Sequence, residues 1–351
     1  MITLFLNMHV FLTRRSKPVR NNLAVLETRT VAVFSTTALG DFLMNTPAIY
    51  LLRNRYPSAS FTLASNEKNM SLVKEYGWFD NVLEWDNKVM RIVPLIRKLR
   101  RIRPDLCVIL HSHYPYDVLA ALTSKAKVVL RDSYGKDPAE LNPFLHAWSP
   151  EFSGHTIARK LKLIGVLGAD AGQSRMHLPL RYQKHSTEGR PLRIGFQLGA
   201  SREARRWPVD NFCQLAVALA SQYQELEIIV TGSKAEQGLE VNFCNAVPEE
   251  VRMCIRPYAG KTQLDELTAL IMSLDVLVTG DTGPMHIAVA GEVRTVSLFA
   301  EANPLHTGPF QYPDPHRVIY QTPADRNVHP MQCISPETVF AAVKLSLEDA
   351  Q

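Results

Sequence analysis

The sequence has little of what would commit a chain to a metal, a disulfide framework or a membrane. Its 351 residues hold five cysteines, Cys107, Cys213, Cys244, Cys254 and Cys333, an odd number, widely scattered and without a Cys-x-x-Cys pair. That pattern indicates neither a disulfide framework nor a structural zinc site, and it favours a reducing compartment. The apolar stretch Met1–Leu12 is too short to span a bilayer and is interrupted by Asn7 and His9. Arg14, Arg15, Lys17 and Arg20 follow it instead of preceding it, the reverse of a secretory signal. Residues 1–29 are therefore expected to be a flexible extension, with a weak interfacial anchor as the alternative. There is no tandem repeat and no large excess of one charge, the 39 Lys and Arg standing against 34 Asp and Glu.

What is present is the composition of an ordinary globular protein, 46% hydrophobic and 21% charged, which excludes a disordered or fibrous chain. The length suggests two domains. The charge is divided unevenly, with 24 basic against 14 acidic residues in 1–180 and 15 against 20 in 181–351. A basic front half suggests an anionic partner.

Short apolar runs alternate with longer amphipathic stretches, the pattern that builds parallel sheets from strand–helix–strand units. The front half reads as strands at Thr30–Ser35, Ser60–Ala64, Asn81–Trp85, Leu106–Leu110 and Ala126–Leu130. Helices are expected between them at Leu39–Arg55, Lys68–Tyr76, Val89–Arg101 and Pro115–Leu122. A polar stretch, residues 181–191, has the composition of a linker. Beyond it, strands are expected at Leu192–Gln197, Leu226–Thr231, Asp275–Thr279 and Thr295–Phe299. The helices expected there are Val209–Gln222, Glu236–Val247, Leu264–Met272 and Pro284–Ala290. The fold class is therefore α/β, with two Rossmann-like domains facing a cleft: 30–180, and 192–351 with a C-terminal helix. Chemistry is to be sought in the strand-to-helix loops.

The first such loop leads from Ser35 through Thr36, Thr37 and Gly40 to Asp41 at the start of a helix. A carboxylate there is either a helix N-terminal acid favoured by the macrodipole or a general base that accepts a proton from an attacking hydroxyl. The loop is neither G-x-G-x-x-G nor G-x-x-x-x-G-K-[ST], which argues against a dinucleotide or P-loop site. In the back half, Gly199-Ala200-Ser201 and Arg205-Arg206-Trp207-Pro208 bring small residues and two arginines to a helix N-terminus, the ingredients of an anion site. A second loop, Gly280-Asp281-Thr282-Gly283-Pro284-Met285-His286, flanks a carboxylate and a hydroxyl with glycines. Its Thr282 and the N–H groups around Gly283 suit a diphosphate. His286 reads either as a packed helix histidine or as a site residue.

Three segments together resemble one family, glycosyltransferase family 9, the heptosyltransferases that build the inner core of lipopolysaccharide. They are Val33–Ala48 continuing to Pro57, Gly199–Ser201 with Arg205–Pro208, and Asp281–Ala288; weaker echoes lie at 155–168 and at Cys333–Glu337. The resemblance implies a B-type glycosyltransferase fold, with an acceptor-binding N-terminal domain and a C-terminal domain that binds a nucleotide-sugar, by default ADP-heptose. It implies anomeric inversion, no metal requirement and no other cofactor, and Asp41 as the catalytic base. It also places Arg205, Thr282 and Gly283 at the donor's diphosphate, Asp281 near its sugar and Glu236 at the ribose; Ser201, Arg206 and His286 are candidates for the same donor site from the loops that hold them. Departures fall on the donor side. Gln197-Leu198 stands where the family has His-Pro, Arg205 where it has Lys, Gly280 where it has Asn, and Ala300-Glu301 where it has Gly-Pro.

The stretch Lys88–Arg103 contains seven basic residues and no acid. Its basic face is either simply solvated or captures an anionic membrane or phosphorylated lipid A through Lys88, Arg91, Arg97, Lys98, Arg100 and Arg101. Without interleaved aromatics it does not suggest nucleic acid. The expectation is a heptosyltransferase acting on Kdo-lipid A or the lipopolysaccharide core, cytoplasmic and peripheral at the inner face of the inner membrane. The alternatives are the same fold with another nucleotide sugar or a protein acceptor, and an inactive nucleotide-binding adaptor.

Overall fold

A computed structural model describes residues 22–133, 137, 139–149, 154–170, 175–179, 181–182, 189–310, 315–325 and 328–349. The chain divides into two units, Met1–Pro179 and Leu180–Gln351. Most of the expected linker, 183–188, lies outside the described residues, as do residues 1–21 of the expected extension. Residues 22–29, part of the expected extension, make hydrogen bonds with the first unit. Arg55 donates to the Ala24 carbonyl at 2.8 Å, and the Asp105 carboxylate accepts from the Arg29 N–H at 2.9 Å, fastening this segment to the first unit.

The first unit contains strands β1 (Thr30–Ser35), β2 (Ser60–Ser65), β3 (Asn81–Glu84), β4 (Leu106–His111), β5 (Val128–Arg131) and β6 (Ala147–Trp148). Its helices are α1 (Leu39–Arg55), α2 (Met70–Lys74), α3 (Ile92–Ile102), α4 (Tyr116–Thr123) and α5 (Thr156–Gly165). The six strands form one parallel sheet in the order β3-β2-β1-β4-β5-β6. Every residue of β1 after Thr30 is buried, as a central strand covered on both faces requires. Its Ala32 and Phe34 pack with Trp85, Leu95, Leu99 and Ile109 in one core.

The second unit has β7 (Leu192–Gln197), β8 (Leu226–Thr231), β9 (Ile255–Pro257), β10 (Val276–Gly280), β11 (Arg294–Phe299) and β12 (His316–Tyr320). Its helices are α6 (Val209–Gln222), α7 (Gln237–Ala246), α8 (Glu249–Arg252), α9 (Leu264–Met272), α10 (Gly283–Ala290), α11 (Pro304–Thr307) and α12 (Pro336–Glu348). This sheet is also parallel, in the order β12-β11-β10-β7-β8-β9. Phe196, Trp207, Phe212 and Phe243 form a tilted and edge-to-face aromatic chain in its core, with neighbouring centroids 4.7–5.9 Å apart.

Counting strands within each unit, both sheets read 3-2-1-4-5-6, the doubly wound Rossmann order. Strand order reverses between β1 and β4 in the first unit and between β7 and β10 in the second. Loops leaving those four strands therefore open into a crevice at the carboxyl edge of each sheet, where neighbouring connections run to opposite faces. Among the described residues no helix is long and apolar enough to cross a membrane.

Candidate active site

In the first unit the loop from β1 to α1 is held by side chains from three neighbouring loops. Asn87, after β3, donates to the Thr36 carbonyl at 2.9 Å and accepts from the Thr36 hydroxyl at 2.6 Å. Its φ of 62° is a left-handed conformation that asparagine tolerates better than most residues. Asn69 donates to the Thr37 carbonyl at 3.1 Å, and Asn66 reaches the Thr36 carbonyl at 3.4 Å. From the end of β4, Ser112 shares a 2.8 Å hydrogen bond with the Thr36 hydroxyl, and the His111 carbonyl accepts the Thr36 N–H at 2.9 Å. The backbone that leads to Asp41 is thereby fixed without a glycine-rich turn.

Asp41 lies in the first turn of α1, as expected, and its carboxylate Oδ1 stands 3.2 Å from His111 Nδ1. Both side chains are about three-quarters covered, at 26% and 22% exposure. Burial alone would raise the Asp41 pKa. The His111 contact, the Thr37 side chain and the positive charge of Lys160 together more than offset it, holding the carboxyl below its ordinary value. Asp41 is thus an ionised carboxylate that water reaches only in part.

Behind it lies a buried ionic cluster. Lys160 on α5 is fully buried; its ammonium donates to Asp132 at 2.6 Å and to the Leu110 carbonyl at 2.7 Å. Arg159 holds the same Asp132 through two hydrogen bonds of 2.7 and 2.9 Å, and Ser149 adds a third of 2.8 Å. The Leu110 carbonyl needs Lys160 because the ladder is irregular there. Phe34 pairs with Ile109 but Ser35 with His111, so Leu110 is an extra residue without a partner on β1.

In the second unit both expected anion loops leave switch-point strands. Gln197 accepts the Thr231 hydroxyl at 2.8 Å and donates to the Gly199 carbonyl at 3.1 Å, tying the first loop to β8. A Cβ on Gly199 would fall 2.0 Å from the Glu236 carboxyl group, so any larger residue there would require the Glu236 side chain to shift. Glu236 also accepts the Ser233 N–H at 2.6 Å in a capping box. Arg206 donates to the Ala200 carbonyl at 2.9 Å and so braces its own loop; Ser201 lies exposed on the same loop.

Arg205 instead crosses to the second loop, where it donates to Asp281 at 2.7 Å. Asp281 is only 9% exposed and lies 4.0 Å from His286, which is buried in α10. The Arg205 carbonyl explains Gly280, since a Cβ there would stand 2.7 Å from that oxygen. Thr282 is the N-cap of α10 and shares a 2.8 Å hydrogen bond with Thr279, while Gly283 opens the helix and Pro284 follows. Arg205, Asp281, Thr282, Gly283 and His286 therefore converge, with Glu236 facing the neighbouring loop at Gly199. Among the described residues no group of three or more His, Cys, Asp or Glu is placed to hold a metal ion.

The expected basic site is narrower than its sequence. Lys88 pairs with Asp86 at 3.2 Å, and Arg91 with Asp86 and Glu84 at 3.4 and 3.5 Å. These two precede α3, and acids from the end of β3 and the loop after it offset their charge, which the run of sequence alone did not reveal. Arg100 donates to the Thr123 carbonyl at 2.8 Å, while Arg97, Lys98 and Arg101 are exposed on α3. Ile92, Leu95 and Leu99 point inward, whereas Met90 at 92% and Val93 at 49% remain exposed.

A family model described as glycosyltransferase family 9 (heptosyltransferase) matches residues 95–333. The chain belongs to glycosyltransferase family 9. It is a glycosyltransferase, and its fold is the B type shared with solved members. A family 9 glycosyltransferase from Veillonella parvula superimposes with a TM-score of 0.79 at 20% identity, over 93% of this chain and 100% of that one. The ADP-heptose lipopolysaccharide heptosyltransferase II of Escherichia coli gives 0.75 at 21%, over 92% and 99%. In sequence, lipooligosaccharide heptosyltransferase 2 of Campylobacter jejuni is 26% identical over 281 residues, spanning 78% of this chain and 82% of the relative.

His111, the three asparagines and the Lys160–Asp132 pair escaped the sequence reading. For His111 a signal exists, a polar side chain directly ending the strand that neighbours β1. The cluster also makes a stability prediction. Asp132 is held below the ordinary carboxyl pKa of 3.8, because Lys160 and Arg159 outweigh the raising effect of burial. Its stabilisation is present above that unfolded-state value and is lost as pH falls through the lower folded one. Asp132→Asn is expected to cost roughly 3–5 kcal/mol in denaturant unfolding at pH 7, with the difference from the parent protein shrinking below about pH 4.

Proposed function

We propose that this family 9 enzyme transfers a heptose from ADP-heptose to the Kdo-heptose region of a lipopolysaccharide inner core, with inversion and with Asp41 as the general base. The observation that carries the reading is Asp41, about three-quarters covered at the switch point of the first sheet and 3.2 Å from His111. Two anion loops stand at the same place in the second. An acceptor hydroxyl attacks the anomeric carbon, its proton passes to Asp41, and the carbon–oxygen bond to the diphosphate breaks with its electrons on the leaving ADP. The charge that grows on ADP is met by Arg205 and by the N-terminus of α10 at Thr282 and Gly283. Asp281, paired with Arg205, aims that guanidinium. This reading assigns the neutralisation to those side chains and backbone dipoles, without a metal.

The names of the relatives support the choice of heptose and of a lipopolysaccharide or lipooligosaccharide acceptor. Asp41→Ala is expected to lower turnover at least about 100-fold while ADP-heptose binding, measured by calorimetry, stays as in the parent protein. Undiminished transfer in that variant would remove Asp41 as the base.

The acceptor is a glycolipid, and we place the enzyme on the cytoplasmic face of the inner membrane. Support comes from Arg97, Lys98 and Arg101 beside the exposed Met90 and Val93. Each basic residue near an anionic surface is worth about 1 kcal/mol. Replacing Arg97, Lys98 and Arg101 by Glu should abolish co-sedimentation with vesicles rich in anionic lipid at low salt and leave the melting temperature unchanged. Equal co-sedimentation would exclude this face as the contact.

A further inference from the structure

We propose that His111 is a positioning residue for the general base, its Nδ1 pairing with Asp41 Oδ1 across 3.2 Å so that Oδ2 is left to receive the acceptor's proton. The inference rests on the reading of Asp41 given above and adds a residue to it. Nothing in the motif around Asp41 contains His111, which lies 70 positions further along the chain and comes from a different strand.

The geometry shows how the histidine is brought there. On a regular ladder β1 and β4 would stay in step to their ends, and alternation would decide which face each side chain takes. The unpartnered Leu110 breaks the step one residue before His111 and moves it into register with Ser35. Such bulges re-aim a side chain. Here the irregularity is stabilised from behind, because the buried Lys160 ammonium takes the Leu110 carbonyl at 2.7 Å and is itself neutralised by Asp132 at 2.6 Å. The imidazole then meets Asp41 at 3.2 Å. A sequence of contacts from Asp132 through Lys160 and the Leu110 carbonyl to His111 thus ends at the carboxylate.

Orientation matters because a carboxylate on a helix turns about two side-chain bonds, and a base displaced by an ångström loses much of its rate. His111 also favours the ionised form of Asp41, together with Lys160 on α5, against the opposing effect of burial. The charged groups around the pair are Lys160, with Asp132 and Arg159 beyond it. Loss of the histidine alone leaves that cluster in place.

The test is steady-state kinetics of full-length His111→Phe and His111→Asn with ADP-heptose and a heptose-deficient core acceptor, across pH. Phenylalanine removes the donor, whereas the asparagine amide N–H starts from the same position as Nδ1. His111→Phe should lower kcat roughly 10–100-fold with the donor KM unchanged, and the acid limb of its pH profile should move to higher pH. His111→Asn should recover most of kcat and return the limb toward that of the parent. If His111→Phe does not fold, His111→Ala against His111→Asn makes the same comparison. Parental kcat and an unmoved acid limb in the Phe or Ala variant would overturn the proposal while Asp41→Ala remained inactive. Full activity in Asp41→Ala would instead mean that the underlying reading of the base had failed.

Discussion

A carboxylate that is to take a proton from a sugar hydroxyl has to be ionised, partly dry and correctly aimed, and burial works against the first of these. The first unit is arranged around that conflict at Asp41. Its parallel sheet places the carboxylate at a switch point, where backbone and side chains from three loops can reach it. Three asparagines and a serine fix the loop in front. A buried cluster in which Lys160 and Arg159 share the one carboxylate of Asp132 leaves positive potential behind. Each element is ordinary alone, and the combination keeps a charged group where solvent is scarce.

The second unit has the same strand order and the opposite electrostatic task. On the proposed function it holds an anion although its half of the chain carries more acidic than basic residues. The attraction is therefore local, concentrated in Arg205 and in the dipole and N–H groups where α10 begins. Asp281 pairs with Arg205 at 2.7 Å, which fixes the direction of the guanidinium while offsetting part of its charge. The departures from the family pattern fit this geometry. Gly280 leaves room for the Arg205 carbonyl, and Gln197 forms the hydrogen bonds that anchor the Gly199 loop to β8. On the proposed function, the basic first half is the acceptor side, and net charge alone would not point to the second half as the donor side.

Much of this was legible in the sequence, and the reasons differ by element. The central strands β1, β7 and β8 and the helices α1, α6 and α9 fall on the bounds expected, because buried runs and amphipathic spacing mark them unmistakably. The edge strands β6, β9 and β12 were missed. They are short or alternate between half-buried and exposed positions, and β9 ends in a proline, which an edge tolerates. Asp41, Arg205 and Asp281 sit in motifs that are local in sequence. His111, Asn66, Asn69, Asn87, Lys160 and Asp132 meet only after the sheet has formed, and no short pattern joins them. The same limit explains Lys88 and Arg91, whose acidic partners precede the basic stretch, and residues 22–29, whose anchors Arg55 and Asp105 lie further along the chain.

The most direct measurement is mass spectrometry of a heptose-deficient core acceptor incubated with the purified enzyme and, separately, with ADP-heptose, UDP-sugars and GDP-sugars. The account predicts addition of one heptose from ADP-heptose, with the anomeric configuration of the new linkage inverted by NMR. Transfer from a UDP- or GDP-sugar in place of ADP-heptose, or retention at the anomeric carbon, would contradict it.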